Sequence, residues 1–312
     1  MTVDQGAGWA GIGHGDFADL AAFRRRLEGG ADPLAELWGY STPLHAAAQE
    51  GSPGLVRELA ARAGDVDALC QGRSALWNAV YHHRDDNALV LAELGADPWR
   101  SMMNGWSPGR LSLAGPFEEL FEVPDGQKLT EEEEALADSG ADLAEVFSEI
   151  VYDGFSVACV AGLTAVEVLQ RLSVSEVLVE DDAPWHDLDI CDDLDVVGVT
   201  GVPGGCVITQ PWGYRATRLV APVTAGTFGY GMYANPKSGN QGCIAEDGHE
   251  VARDLHPGFD PDSDSSGRDV LAAFASDGNA LVHCLVYAGL HPESVDCLER
   301  PDAWVRLDTA RE

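Results

Sequence analysis

Several stretches of this 312-residue chain bring together residue types that do chemistry. In "HDLDICDD", His186, Asp187, Asp189 and Cys191 are all metal-ligand types. An extended strand points alternate side chains to opposite faces, so these four do not converge on one ion. His82 and His83 in "YHHRDD" diverge on a helix by about 100°, and a helix end is the simpler reading. "DPDSDSSGRD", from Asp260, has the look of a calcium loop, yet Ser265 and Leu271 stand where an EF-hand needs Gly and Glu. A capped surface loop is expected there instead. "VPGGCVITQPWG" and "NPKSGNQG" are glycine-rich, but neither ends in G-K-[ST] before a helix, so neither reads as a phosphate loop. No G-x-S-x-G elbow occurs. An enzyme would therefore need distant groups to meet, with several of His186, Asp189, Cys206, His249, Glu250 and His283 lining one pocket. No catalytic residue, metal or cofactor is assigned. "QPWGYRATR" is different: Trp212, Tyr214, Arg215 and Arg218 are types enriched at interfaces. Trp212 filling a core beneath a turn is the equal alternative.

Charge narrows the range of partners. The chain holds 52 acids against 19 bases; residues 1–128 carry 18 and 10, residues 129–312 carry 34 and 9. No Lys or Arg lies between Arg171 and Arg215. Such a surface repels phosphate backbones, whose recognition depends on cations, and direct nucleic-acid binding is not expected. A basic protein would be attracted by the same field, although acidity also serves solubility alone. The seven cysteines (Cys70, Cys159, Cys191, Cys206, Cys243, Cys284, Cys297) form no C-x-x-C pair and read as reduced, mostly buried thiols. The first residues lack a basic segment followed by an apolar run, and no stretch approaches the roughly 18 apolar residues of a membrane span. A cytoplasmic location with no membrane partner is expected.

The elements that would present a binding surface recur at a fixed period. "GGADP" at 29–33 is echoed by "AGDVD" at 63–67 and "GADP" at 95–98, which places Asp32, Asp65 and Asp97 in register. "STPLHAAA" from Ser41 is echoed by "RSALWNAV" from Arg73 and more faintly around Ser107. Thr42, Pro43, Leu44, His45 and Ala47 follow the T-P-L-H-x-A pattern, and residues 1–115 accordingly resemble the ankyrin-repeat family. The resemblance implies an all-α solenoid with two good repeats, a partial cap on each side, and end repeats facing water. Thr42 would cap its helix, Pro43 would occupy the first turn, Leu44 would enter the core, and His45 would tie neighbouring loops. Projecting turns would carry Trp38, Tyr40, Trp99 and Trp106, and the concave helix face would carry Gln49, Glu50, Asn78, Tyr81 and His82. Exposed aromatics there would anchor a partner. The alternative packs Trp38 and Trp106 beneath neighbouring turns.

Residues 116–149 read as a linker with an acidic helix capped by Thr130, which Gly140 is expected to split. From residue 150 the pattern becomes α+β with a mainly antiparallel sheet. "FSVACVAG" is a strand candidate. "LTAVEVLQRL" is a helix with a Thr164/Glu167 capping box. Two hairpins turn at Pro203–Gly205 and Asp247–Gly248, and three helices follow. This part resembles a bacterial domain family of unassigned function, through "FSVACVAGLTAVEVLQRL", "QPWGYRA", "AEDG", "FDPDSDSSGRD" and "AGLHPESVDCL". That resemblance implies a domain and no chemistry.

The combined reading is a non-enzymatic protein that binds a protein partner through the ankyrin stack and an acidic second domain. A sharper version is an immunity factor that neutralises a basic toxin or nuclease. The rivals are an enzyme in the second domain and a self-associating structural protein; the sequence sets no oligomeric state.

Overall fold

Three aspartates set the phase of the first part of the chain. The carboxylates of Asp32, Asp65 and Asp97 each accept from the backbone N–H two residues on, at 2.9, 3.0 and 2.9 Å. Each thereby closes a tight turn by a bond that aspartate makes readily. The turn leads into a projecting finger whose tip is an X–Gly pair at positive φ: Trp38–Gly39, Gln71–Gly72 and Asn104–Gly105. Glycine is needed there because the second residue of such a tip sits in the left-handed region. Beyond each finger a hydroxyl caps a helix. Thr42 accepts from His45 N–H at 3.3 Å, Ser74 from Trp77 at 3.1 Å and Ser107 from Arg110 at 3.1 Å.

The computed structural model describes residues 8–116, 120–150, 153–178, 194–261 and 264–308, with Asp254 described by its backbone only. The chain forms two compact units, Met1–Glu134 with Pro261–Leu271, and Ala135–Asp260 with Ala272–Glu312. The first is helical: α1 (Leu20–Glu28), α2 (Pro43–Glu50), α3 (Pro53–Ala60), α4 (Ala75–Tyr81), α5 (Asp85–Glu93) and α6 (Pro108–Ser112). Helix α2 packs on α4 and α4 on α6, while α3 packs between α1 and α5, the two layers expected of stacked helical pairs. Leu44, Leu55, Leu59, Leu76, Trp77 and Leu91 are wholly buried between them. Asn87 locks one repeat to the next, its amide donating to the carbonyls of Ala48 and Gly51 at 3.0 Å each.

The end repeats do not simply face water. At the N-terminal end Trp9, Phe17 and Phe23 form an aromatic plug, with Trp9 Nε1 donating to Asp32 O at 2.7 Å. At the other end Pro261–Leu271 returns to the first unit. Trp106 Nε1 donates to Gly267 O and Asn104 Nδ2 to Ser265 O, both at 2.8 Å. The expectation of a water-facing last repeat is corrected: an exposed indole would leave a large apolar surface wet, and the chain covers it with a distant segment.

The second unit is a sheet clothed on both faces. After α7 (Glu131–Val146) come β1 (Ser156–Ala161), α8 (Ala165–Arg171), β2 (Val174–Leu178), β3 (Val196–Val202), β4 (Gly205–Gln210), α9 (Arg215–Val223), β5 (Phe228–Asn235), β6 (Gly239–Glu246) and β7 (His249–Leu255). Then follow α10 (Gly267–Ala275), α11 (Ala280–Ala288), α12 (Asp296–Glu299) and β8 (Ala303–Leu307). All eight strands pair antiparallel in the order β2-β8-β3-β4-β1-β5-β6-β7. Strand alternation divides the apolar residues into two cores. Val157, Cys159 and Val207 face Leu143, Leu281 and Leu285 on one side, while Ala158, Val160 and Ile208 face Val168, Ala216 and Val220 on the other. Thr164 and Glu167 form the expected capping box. Asp247–Gly248 turns its hairpin with both residues at positive φ. Gly140 does not split α7: a Cβ there would lie 2.5 Å from Ala275 Cβ, so glycine lets the helix approach closely rather than breaking it.

His45 joins the repeats electrically as well as sterically. Its Nε2–H donates to Arg73 O at 3.1 Å, leaving Nδ1 to accept from Thr42 Oγ1 at 2.7 Å. This is a neutral ring with both nitrogens used, and burial lowers its pKa from 6.5 to about 4. Because the folded pKa is depressed, the unfolded chain takes up this proton first as pH falls. The contribution is intact above about pH 6.5 and fades towards pH 4, up to about 3 kcal/mol in all. Denaturation of wild type and His45→Gln between pH 7 and 4 should show the wild type losing stability more steeply by that order; parallel pH curves would rule the linkage out.

Candidate functional site

The first two fingers of the stack each leave a large apolar side chain exposed. Tyr40 is 52% exposed and Leu69, in the next finger, 48%. Trp38 is half-buried: its Nε1 donates to Ile12 O at 3.0 Å, and His14 stacks on its ring at 4.0 Å. His14 reaches in two further directions, to the Glu50 carboxylate at 2.7 Å and to Tyr40 Oη at 3.2 Å. Trp38, Tyr40 and Glu50 therefore form one cluster around a single imidazole. Asn78 is half-buried and donates to His45 O at 3.5 Å; Trp99 is half-buried and donates from Nε1 to Glu122 O at 3.1 Å. Two of the expected contact residues lie elsewhere. Tyr81 is 9% exposed and Trp106 only 2%, so neither ring offers a surface to a partner. Trp106 is held between Gly267 O and the Arg110 guanidinium, 4.2 Å from its ring, and Arg110 is itself paired with both oxygens of Glu133 at 2.8 Å.

A second candidate lies wholly within the second unit, where α9 leaves part of the sheet face uncovered beside β5, β6 and β7. The cavity is about 860 Å³. Trp212 and Tyr214 stand at its rim, 48% and 52% exposed. Trp212 lies against Gly154, where a Cβ would come within 2.1 Å of the ring; the absent side chain makes the indole's seat. Tyr214 and Tyr233 meet edge to face at 6.2 Å between centroids, and the Arg218 guanidinium lies 4.4 Å from the centre of the Tyr214 ring. Among the described residues, Arg218, Lys237 and Arg253 line the groove together with one carboxylate, Glu250, which pairs with Arg253. Arg215 is not among the lining groups. Its N–H donates to buried Gln210 Oε1 at 2.7 Å, and its guanidinium lies 3.6 Å from Asp195. Helix α9, which brings Arg218 here, was missed by sequence reading. Its Ala216, Val220 and Val223 carry the i, i+4, i+7 spacing of a helix, a signal weakened by Pro222 inside the same stretch.

The described members of the possible catalytic cluster, Cys206, His249, Glu250 and His283, do not gather in one pocket. Cys206 is buried in one core, where desolvation pushes its thiol up to about 12, and His283 meets Tyr230 in the other. His249 lies on edge strand β7, bound to Asp247 O, next to Glu250. Burial likewise raises the thiols of Cys159, Cys243, Cys284 and Cys297, leaving little thiolate near neutrality. His186, Asp187, Asp189 and Cys191 lie outside the described residues. Among the described residues no three His, Cys, Asp or Glu side chains are grouped to hold a metal ion, and no helix is long and apolar enough to cross a membrane.

The burial of Trp106 separates packing from recognition. Trp106→Ala should cost about 3–5 kcal/mol in urea denaturation, as for other buried tryptophans. Tyr40→Ala, at an exposed tip, should cost less than about 0.5 kcal/mol. Equal, small losses for both would mean that Trp106 is not sealed.

Comparison with known proteins bears on part of the first unit. No curated protein matches the chain. Residues 18–102 match the family of ankyrin repeats (3 copies), a stretch that takes in α1 to α5 and ends just short of the finger tip at Asn104–Gly105.

Proposed function

We propose that the protein is a non-enzymatic, cytoplasmic interaction molecule whose ankyrin stack grips another protein. The observation that carries this reading is the repeat itself, in which short polar side chains fix the turns so that the fingers project with Tyr40 and Leu69 still accessible. Ankyrin repeats in general serve protein–protein interaction, and nothing about the buried thiols and dispersed histidines favours a reaction. On this reading residues 1–115 do the gripping, residues 116–149 link, and residues 150–312 add an acidic surface. The likeness of that last part to a bacterial domain family of unassigned function adds no chemistry.

Contact would centre on Tyr40, with Trp38 and Glu50 beside it and Asn78 and Trp99 at the margins. The imbalance of 34 acids to 9 bases in residues 129–312 favours a basic partner over a nucleic acid or membrane surface. The sharper form is neutralisation of a basic toxin or nuclease by direct occlusion.

The reading is tested by capture from native cells at low and high salt, with wild type and Tyr40→Ala compared. The expected result is a cationic protein whose retention falls with salt and drops by about tenfold or more in the variant, as for an interface anchor. Recovery of a neutral or acidic protein would refute the electrostatic part. Retention indifferent to Tyr40 would refute the finger-tip site.

A further inference from the structure

We propose that the groove beside α9 binds a small anion bearing a flat ring, of the size and charge of a nucleoside monophosphate. The groove reverses the sign of the domain that contains it. Residues 129–312 hold nine bases in all, and three of them, Arg218, Lys237 and Arg253, line this one cavity, where Glu250 is the one carboxylate among the described residues. That leaves a local excess of two positive charges, the complement of a phosphate monoester, which carries about −1.5 to −2 near neutrality. Two of the three bases are arginines, whose planar fork suits phosphate oxygens.

The same walls supply the ring site. Trp212 and Tyr214 each leave about half of their surface to solvent, 48% and 52%, in a unit whose other large side chains are mostly packed away. Both are held in place, Trp212 by its seat on Gly154 and Tyr214 by its contacts with Tyr233 and Arg218. Ordered, exposed aromatic faces next to cations are a stacking platform. A volume of about 860 Å³ falls within the range of roughly 300–1,000 Å³ typical of small-molecule sites.

Electrostatic range selects a small ligand over a macromolecule. At physiological salt, charges beyond a Debye length of about 8 Å are largely screened, so a small anion in the groove responds mainly to its own lining. An acidic protein or a nucleic acid would extend beyond the groove onto a part of the chain, residues 129–312, that holds 34 acids and 9 bases in all.

Calorimetric titration of the full chain with AMP, adenosine, inorganic phosphate and a poly-glutamate peptide tests the proposal. AMP should bind saturably, with adenosine and phosphate each weaker. Lys237→Gln and Arg218→Gln should each weaken AMP by about tenfold without shifting the unfolding midpoint, the loss expected for one charge-assisted contact. Tyr40→Ala, which tests the stack, should leave AMP binding unchanged. Absence of AMP binding, AMP binding indifferent to both groove substitutions, or tighter binding of the acidic peptide would each overturn the assignment.

Discussion

A stacked repeat stands or falls on how it disposes of backbone groups at its many chain reversals. In a continuous helix most N–H groups have partners; here every repeat starts two short helices, and each start leaves unsatisfied donors. Short side chains with an oxygen one or two bonds from the backbone solve this locally. Asp32, Asp65 and Asp97 close the turns, and Thr42, Ser74 and Ser107 close the helix starts, in the same order each time. The apolar layer can then form between repeats with the donors of these turns and helix starts already satisfied. His45 and Asn87 extend the same solution across the repeat boundary.

This explains what was legible in the sequence. Asp32, Asp65 and Asp97 act on residues two positions away, and Thr42 acts on one three positions away, so their roles can be read from a short window. The same holds for the capping box at Thr164 and the hairpin at Asp247–Gly248. The X–Gly pairs at the finger tips are equally local but lie among dissimilar neighbours, Trp, Gln and Asn, and were not recognised as one feature. Interactions over long separations were hidden. Strand β8 pairs with β2 across some 130 residues of chain, and β2 is mostly exposed at the sheet edge, so β2 carries no buried pattern and its partner is not readable from a short window. The cover over Trp106 comes from residues 261–271, and no local signal links "SGRD" to a tryptophan so far upstream. The groove combines α9 with three strands; Trp212 and Tyr214 were recognisable as interface types, while Lys237 and Arg253 gained meaning only by proximity.

The two candidate surfaces differ in physical kind. On the stack, Tyr40 offers an aromatic face whose value lies in removal from water against another protein. In the second unit, Trp212 and Tyr214 offer aromatic faces beside cations in a concavity, an arrangement that favours a charged guest small enough to enter. A chain with 52 acids and 19 bases has few cations to spend, which makes their concentration at one groove informative.

The cover supplied by residues 261–271 also constrains how the chain is made. A ribosome delivers the repeats early, but Gly267, which accepts the Trp106 indole N–H, emerges only after 161 further residues. Until then the last repeat carries a wet tryptophan, and the nascent stack has an adhesive end exposed to chaperones and to other unfinished chains. Completion of the N-terminal unit is thus tied to late translation, and premature termination before this segment would yield repeats that are formed but unsealed.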